Sequence, residues 1–119
     1  MSVLASMERD GLITLKMRSA GENFQRVFTA SQIDPLPSSI NFENREAHIE
    51  AARDAVWRAI QAVGGLGSPA GSCLWYVVGF GRTTKEWARE QEWSGRRINE
   101  EVALGILIAA LGSLSEHTG

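Results

Sequence analysis

Basic side chains gather in one short stretch of the chain and suggest phosphate chemistry. Between residues 82 and 97 there are five basic residues and three acidic ones, a local charge of +2 in a chain whose net charge is −2. Arginine and lysine hold phosphate oxygens, arginine bonds guanine bidentately, and asparagine suits adenine. We therefore predict that three residues hold phosphate and three face a DNA groove. The first group is Arg82, Lys85 and Arg89, and the second is Arg96, Arg97 and Asn99.

The pattern around these residues is typical of a helix-turn-helix. Thr83 and Glu86 have the spacing of a capping box, so a short helix is expected over 84–91. Trp87 and Ala88 are placed to face inward, and Trp93 is placed in the turn. A second helix then opens near Ser94 or Gly95, and its amino-terminal turn, with free amide donors and a partial positive charge, suits phosphate. In such a motif this turn enters the DNA groove.

Two features argue against direct recognition of DNA bases by this motif. Gln91 and Glu92 stand where an apolar residue and a glycine are commoner, and Glu100 and Glu101 bring negative charge towards the phosphates. The alternatives are a helical hairpin packed only for structure, or a protein-interaction module that docks on RNA polymerase or another regulatory protein. Salt-sensitive DNA binding would separate the first interpretation from these.

The sequence contains few patterns that are typical of catalytic or metal-binding sites. The histidines are His48 and His117, and no His, Cys or Asp cluster has metal-ligand spacing. Cys73, the single cysteine, has no base close to it in sequence and fits a small buried apolar residue better than a nucleophile. We expect no enzymatic activity, no cofactor and no metal site.

The elements that must position the basic stretch are mainly helical. A helix is predicted over 43–63, because apolar residues recur every three or four positions and form one stripe. A glycine-rich run from Gly64 to Gly71 ends it as a cap and hinge. A short buried helix is predicted over 72–80, with a buried strand as the alternative. The stripe of the first helix contains Ile49, Ala52, Val56, Ile60 and Val63.

The last helix, predicted over 98–115, is apolar nearly all round. Such a helix is either the central helix of the domain or half of a homodimer interface. The residues predicted to face inward are Ile98, Val102, Ile106, Ala109 and Leu111, with Leu104, Leu107, Ile108 and Leu114 widening the stripe.

The amino-terminal part of the chain has a different pattern. Alternation over 12–18 and the run 24–29, separated by turn residues, predict a β-hairpin arm, with two short helices or a partly ordered arm as alternatives. Pro35 and Pro37 then favour an extended linker. We therefore divide the chain into an arm and linker at 1–40 and a helical helix-turn-helix domain at 41–119.

Composition limits the broad class of the protein. With 119 residues and 44% apolar residues, the chain is expected to fold as a globular domain. Its single cysteine argues for a reducing compartment, and no apolar run reaches membrane-spanning length. We expect a cytoplasmic protein without a membrane partner.

The carboxyl-terminal third also resembles a known family. The runs LWYVVGFGRTTKEWA (74–88), WSGR (93–96) and VALGILIAALGSL (102–114) are similar to a small domain of alphaproteobacterial and prophage regulatory proteins. That family includes the carboxyl-terminal domain of the gene transfer agent activator, and its pattern is also similar to the fourth region of sigma factors. The resemblance implies transcription regulation by contact with double-stranded DNA or by docking on RNA polymerase.

Overall fold

A computed structural model describes residues 3–31, 42–93 and 99–118, with side chains at all of these positions except 42–46, 91–93 and 118. These residues form helices and contain no strand, which confirms the mainly α fold. The elements are α1 Val3–Arg9, α2 Leu15–Ala30, α3 Phe42–Ala62, α4 Pro69–Cys73, a π-helix at Leu74–Gly79, α5 Thr84–Trp93 and α6 Glu100–Thr118.

The predicted β-hairpin arm is wrong, because helix α2 covers most of the first proposed strand, the turn and the whole of the second strand, and residues 12–14 before it form no strand. The Thr14 side chain caps α2 by accepting a hydrogen bond from the Met17 amide at 3.2 Å. Ala20, Phe24 and Phe28 then recur every four residues and are buried together, as one face of a helix requires. Leu15, which the alternating pattern places in a strand, is 65% exposed. Burial of the helical face outweighs the local β pattern.

The amino-terminal helices belong to the same hydrophobic core as the rest of the described chain. Leu4 and Phe24 lie in one cluster with Ile60 and Leu107. A Cβ atom built on Gly21 would lie 2.8 Å from Leu4 Cδ1 and 2.9 Å from a methyl carbon of Leu111. Glycine therefore lets α1, α2 and α6 approach closely at this point. The division at residue 40 stays a prediction, but α1 and α2 pack as part of the core.

Helix α3 confirms the helix predicted over 43–63 and most of its apolar stripe. Ala52, Val56, Ile60 and Val63 are buried on one face. The helix ends where the Gly65 amide donates to the Ile60 carbonyl at 2.8 Å, with Gly64 and Gly65 both at positive φ. These glycines therefore form the predicted helix cap.

The predicted helix over 72–80 is present, and most of it is a π-helix. Its widened turn is closed by the Phe80 amide, which donates to the Trp75 carbonyl at 3.1 Å. The ring of Phe28 packs edge-on against Trp75 and Phe80, with centroid distances of 5.1 and 5.0 Å. A Cβ atom on Gly79 would lie 2.7 Å from a carbon of the same ring. The fully buried Phe28 is thus seated against the bare backbone of Gly79.

Helix α6 is the central helix of the described chain and packs against α2, α3, α4 and α5. Its inward face differs from the predicted one, because Val102 is 48% exposed and Ala109 is also exposed. The apolar residues of α6 that are buried are Ala103, Leu107, Ala110, Leu111 and Leu114. A helix that is apolar on every side carries little periodic signal, so the neighbouring helices decide which face is covered.

We expect Gly79→Ala to destabilise the fold by about 1–3 kcal/mol, since the added methyl group must displace the enclosed Phe28 ring. Gly105→Ala is the matched control, because Gly105 lies in α6 with no other atom within 4 Å of a built Cβ. That control should gain about 0.5–1 kcal/mol from the better helix propensity of alanine. Urea unfolding measures both; equal effects of the two variants would contradict the close seat of Phe28 on Gly79.

Candidate functional site

The capping box that opens α5 is present as predicted. Thr83 Oγ1 accepts a hydrogen bond from the Glu86 amide at 3.0 Å. Glu86 Oε1 in turn accepts from the Thr83 amide at 3.2 Å and from the Thr83 hydroxyl at 3.1 Å. The hydrogen bond from the Thr83 backbone is the main cause that lowers the pKa of Glu86, followed by the bond from its side chain. The box fixes where α5 starts and therefore which residues face outward.

Helix α5 is held in place by the two inward residues that the sequence indicated. Trp87 is fully buried and Ala88 is 5% exposed. The Trp87 indole Nε1 donates a hydrogen bond to Ser72 Oγ at 3.0 Å, which ties α5 to α4. Helix α5 also packs against α6. Two helices that are consecutive along the chain therefore lie against each other, and the link between them is outside the described residues.

The three residues predicted to hold phosphate have different surroundings. Lys85 and Arg89 are exposed and lie one helical turn apart on the same face of α5. The Arg82 side chain is engaged within the protein: it forms an ion pair with Glu90, and its guanidinium carbon lies 5.7 Å from the centroid of the Tyr76 ring. A ligand phosphate on Arg82 would compete with Glu90.

The residues predicted to face the groove are only partly described. Arg96 and Arg97 lie outside the described residues. Asn99 is exposed, and its Oδ1 accepts a hydrogen bond from the Val102 amide at 2.8 Å, so it caps α6. Sequence reasoning missed this role, although asparagine ahead of a pair of acids is a common helix start. The exposed Glu100 and Glu101 occupy the first turn of α6, where their charges suit the helix dipole.

No catalytic constellation forms around the titratable groups in the described part of the chain. Cys73 is fully buried, and burial raises the pKa of its thiol to about 12. His48 and His117 are exposed. Within the ranges given above there is no group of three or more His, Cys, Asp or Glu residues arranged to hold a metal ion.

An aromatic surface, defined here as Trp57, Trp75, Tyr76 and Phe80, is brought together by the fold. The ring centroids are 5.7 Å apart for Trp57 and Trp75, 6.4 Å for Trp75 and Phe80, and 6.0 Å for Phe80 and Tyr76. Trp57 is 45% exposed, and the other three rings are partly exposed. The sequence signal for this surface is the high local frequency of tryptophan. That signal does not include Trp57, which lies on a separate helix, α3.

A groove of about 220 Å³ runs between α2, α3 and the end of α6. Phe24, Val27 and Leu114 contribute apolar wall, and Arg58 and His117 contribute polar groups. Arg58 is paired with Asp54 at 2.5 Å on an exposed part of α3. The groove is therefore a mainly apolar depression and lacks the pairing of groups that acid-base chemistry needs.

Comparisons with known proteins do not assign this site. No protein-family model, curated protein or solved structure matches the chain. Among the described residues, no helix combines the length and the apolar character that crossing a membrane requires.

The lowered pKa of Glu86 predicts a pH effect on stability. A carboxylate whose folded pKa lies below its unfolded value of 4.5 stabilises the fold above that value and loses the effect as the pH falls through the folded pKa. As the pH falls from 5 through the folded pKa of Glu86, the free energy of unfolding of the Glu86→Gln variant should decrease less than that of the parent protein. The glutamine side chain still accepts hydrogen bonds from Thr83, but it does not titrate. Urea unfolding across this pH range measures the difference, and parallel curves would argue against the capping box.

Burial of Cys73 predicts a protected thiol. At pH 8 the folded protein should react slowly with Ellman's reagent, because the thiol is enclosed and its pKa is about 12. The same sample in concentrated urea should react fully within minutes. Rapid, complete labelling of the folded protein would show that the Cys73 thiolate is accessible and would support a nucleophilic role for this residue.

Proposed function

We propose that the protein is a small bacterial or phage transcription regulator that binds double-stranded DNA through the α5–α6 helix pair. The observation that supports this best is the packing of α5, whose Trp87 and Ala88 are buried while Lys85 and Arg89 remain exposed. This arrangement gives α5 one covered face and one exposed face that carries two basic residues. It is the division of faces that a helix-turn-helix needs, with cytoplasmic DNA as the partner.

In the proposed mechanism, phosphate contacts give register and affinity. Lys85 and Arg89 would contact successive phosphate oxygens from the exposed face of α5, and Arg82 would join them if it exchanged Glu90 for phosphate. Arg96 and Arg97, which precede α6 in the chain, would supply the groove contacts. Asn99 would reach a base only with its amide nitrogen, because its oxygen caps α6.

Charge limits the strength of this proposed binding. The net charge is −2, and Glu100 and Glu101 are exposed at the start of α6. Few phosphate contacts and two nearby acids imply weak binding by a monomer, with a salt dependence set by the number of phosphates that it contacts. A homodimer would double the number of contacts. The exposed Val102 and Ala109 on α6 offer one surface for it, whereas most of the apolar face of this helix is already covered within the monomer.

The second candidate is a protein-interaction module that docks on RNA polymerase or another regulatory protein without reading DNA. The observation that favours it is the pair of exposed acids at the start of α6, since carboxylates repel phosphates but suit basic groups on a protein. Under this candidate, Lys85 and Arg89 would contribute to solubility or to the rim of a protein contact.

A mobility shift of the purified chain on genomic and random DNA fragments, at low and moderate salt, tests the proposal. We expect a salt-sensitive shift that weakens in Lys85→Ala/Arg89→Ala. The slope of log affinity against log salt should fall by about 1 for each phosphate that the variant no longer binds. Arg96→Ala/Arg97→Ala should weaken binding and also reduce fragment preference.

The matched control is Lys16→Ala/Arg26→Ala, which removes the same charge from exposed positions on α2. It should retain nearly all of the binding. Absence of a shift at low salt would favour the protein-interaction module. Equal losses in the control and the α5 variant would mean that binding depends on net charge alone and not on the helix pair.

A further inference from the structure

The aromatic surface combines exposure with a rigid support. Trp57, on α3, is 45% exposed and forms one contiguous patch with the partly exposed rings of Trp75, Tyr76 and Phe80; contiguous apolar patches of this kind mark interaction sites. Behind it, Trp75 and Phe80 are fixed by edge-on contacts with the fully buried Phe28. The rings are thus held in position before any partner arrives, which reduces the entropy lost on binding.

The π-helix explains why these rings share one surface. A wider turn shifts the positions of the side chains that follow it, and π-helical turns are frequent at functional sites. Here the wider turn places Phe80 beside Trp75, five residues earlier, with ring centroids 6.4 Å apart. Phe80 also stacks on Tyr76 at an interplanar angle of 23°, and both rings are partly exposed. The backbone departs from regular α geometry at the residues that build the surface.

Arginine stands at each end of the aromatic surface. Arg82 lies over the Tyr76 ring at 5.7 Å and is also paired with Glu90. At the other end, Arg53 precedes Trp57 by one turn of α3 and donates a hydrogen bond from Nε to the Ser31 carbonyl at 3.1 Å. Both guanidinium groups are therefore positioned by internal contacts, and both arginines remain exposed.

We infer that this surface binds an acidic peptide segment of a partner protein, with apolar side chains seated on the rings and carboxylates paired with Arg53 and Arg82. Tryptophan, tyrosine and arginine are the residues that contribute most to binding at protein interfaces. Acidic flanks complement Arg53 and, in exchange for Glu90, Arg82, since arginine pairs with carboxylates through parallel hydrogen bonds. The occupant is thus a short segment with aliphatic or aromatic anchors between acids.

A protein segment fits the surface better than a single nucleic-acid strand. Stacking of successive bases requires a row of accessible ring faces. In this surface Trp75 is tilted against both of its neighbours, at 38° to Trp57 and 60° to Phe80, and three of the four rings are partly covered. Tilted and partly covered rings suit contacts with apolar side chains better than a stack of successive bases.

Peptide binding by the aromatic surface goes beyond the proposed DNA binding and does not depend on it. Trp57 and Arg53 lie on α3, outside the α5–α6 pair. Loss of DNA binding in the α5 variant would leave peptide binding through Trp57 intact, so the two proposals fail separately.

The test is selection of a phage-displayed library of random twelve-residue peptides on the full chain, followed by fluorescence anisotropy with the enriched peptides. We expect enriched sequences in which apolar anchors alternate with Asp and Glu. Trp57→Ala should weaken their binding about tenfold or more, whereas Leu15→Ala, which removes another exposed apolar side chain, should change it less than about threefold.

A second pair of variants tests the charge at the surface without removing a ring. Arg53→Gln should weaken the binding of the acidic peptides, and Arg26→Gln, at an exposed arginine on α2, should not. The inference is overturned if no acidic sequence is enriched, if the Trp57 and Leu15 variants bind equally well, or if an oligothymidine strand binds at Trp57 in place of the peptides.

Discussion

The contact on which the described structure depends is the seat of Phe28 against the backbone of Gly79. The ring is fully buried, and Trp75 and Phe80 enclose it edge-on within the wide turn of the π-helix. Because Phe28 lies on α2 and Gly79 ends the π-helix, this contact joins the amino-terminal helices to the carboxyl-terminal half. A side chain at position 79 would meet the ring before the helices could approach. The segment predicted to be an arm is therefore a structural part of the core.

The two proposed binding regions follow from this junction. The aromatic surface combines Trp57 of α3 with Trp75 and Tyr76 of the π-helix and with Phe80, and α5 begins shortly after Phe80, at a start fixed by Thr83 and Glu86. Arg82 lies between the two regions and connects them, since it touches Tyr76 on one side and pairs with Glu90 of α5 on the other. A partner that engaged Arg82 in either region would alter its availability to the other. The geometry thus allows coupling between the regions through one side chain.

Several polar residues near the candidate site are explained by helix ends as well as by ligand binding. Asn99 caps α6, and Glu100 and Glu101 lie where the helix dipole favours negative charge. These roles explain why acidic residues occur at a position where they would weaken the binding of DNA. They also show that residue type alone does not separate a phosphate-binding turn from a well-capped helix. The exposed Lys85 and Arg89 have no comparable local role in capping, and so they carry more of the DNA proposal.

Local and periodic signals determined much of this fold from the sequence alone. The α3 stripe, the glycines that end it and the Thr83–Glu86 capping box involve residues close together in the chain, where short-range sterics and hydrogen bonds decide the outcome. The tertiary structure alone decided the helical state of α2, the covered face of α6, and the meeting of Trp57 with Trp75. Each of these depends on burial against a distant segment, and the free energy of that burial arises only on packing. In α2 the four-residue spacing of Ala20, Phe24 and Phe28 stands beside an alternating pattern, and burial decided between the two.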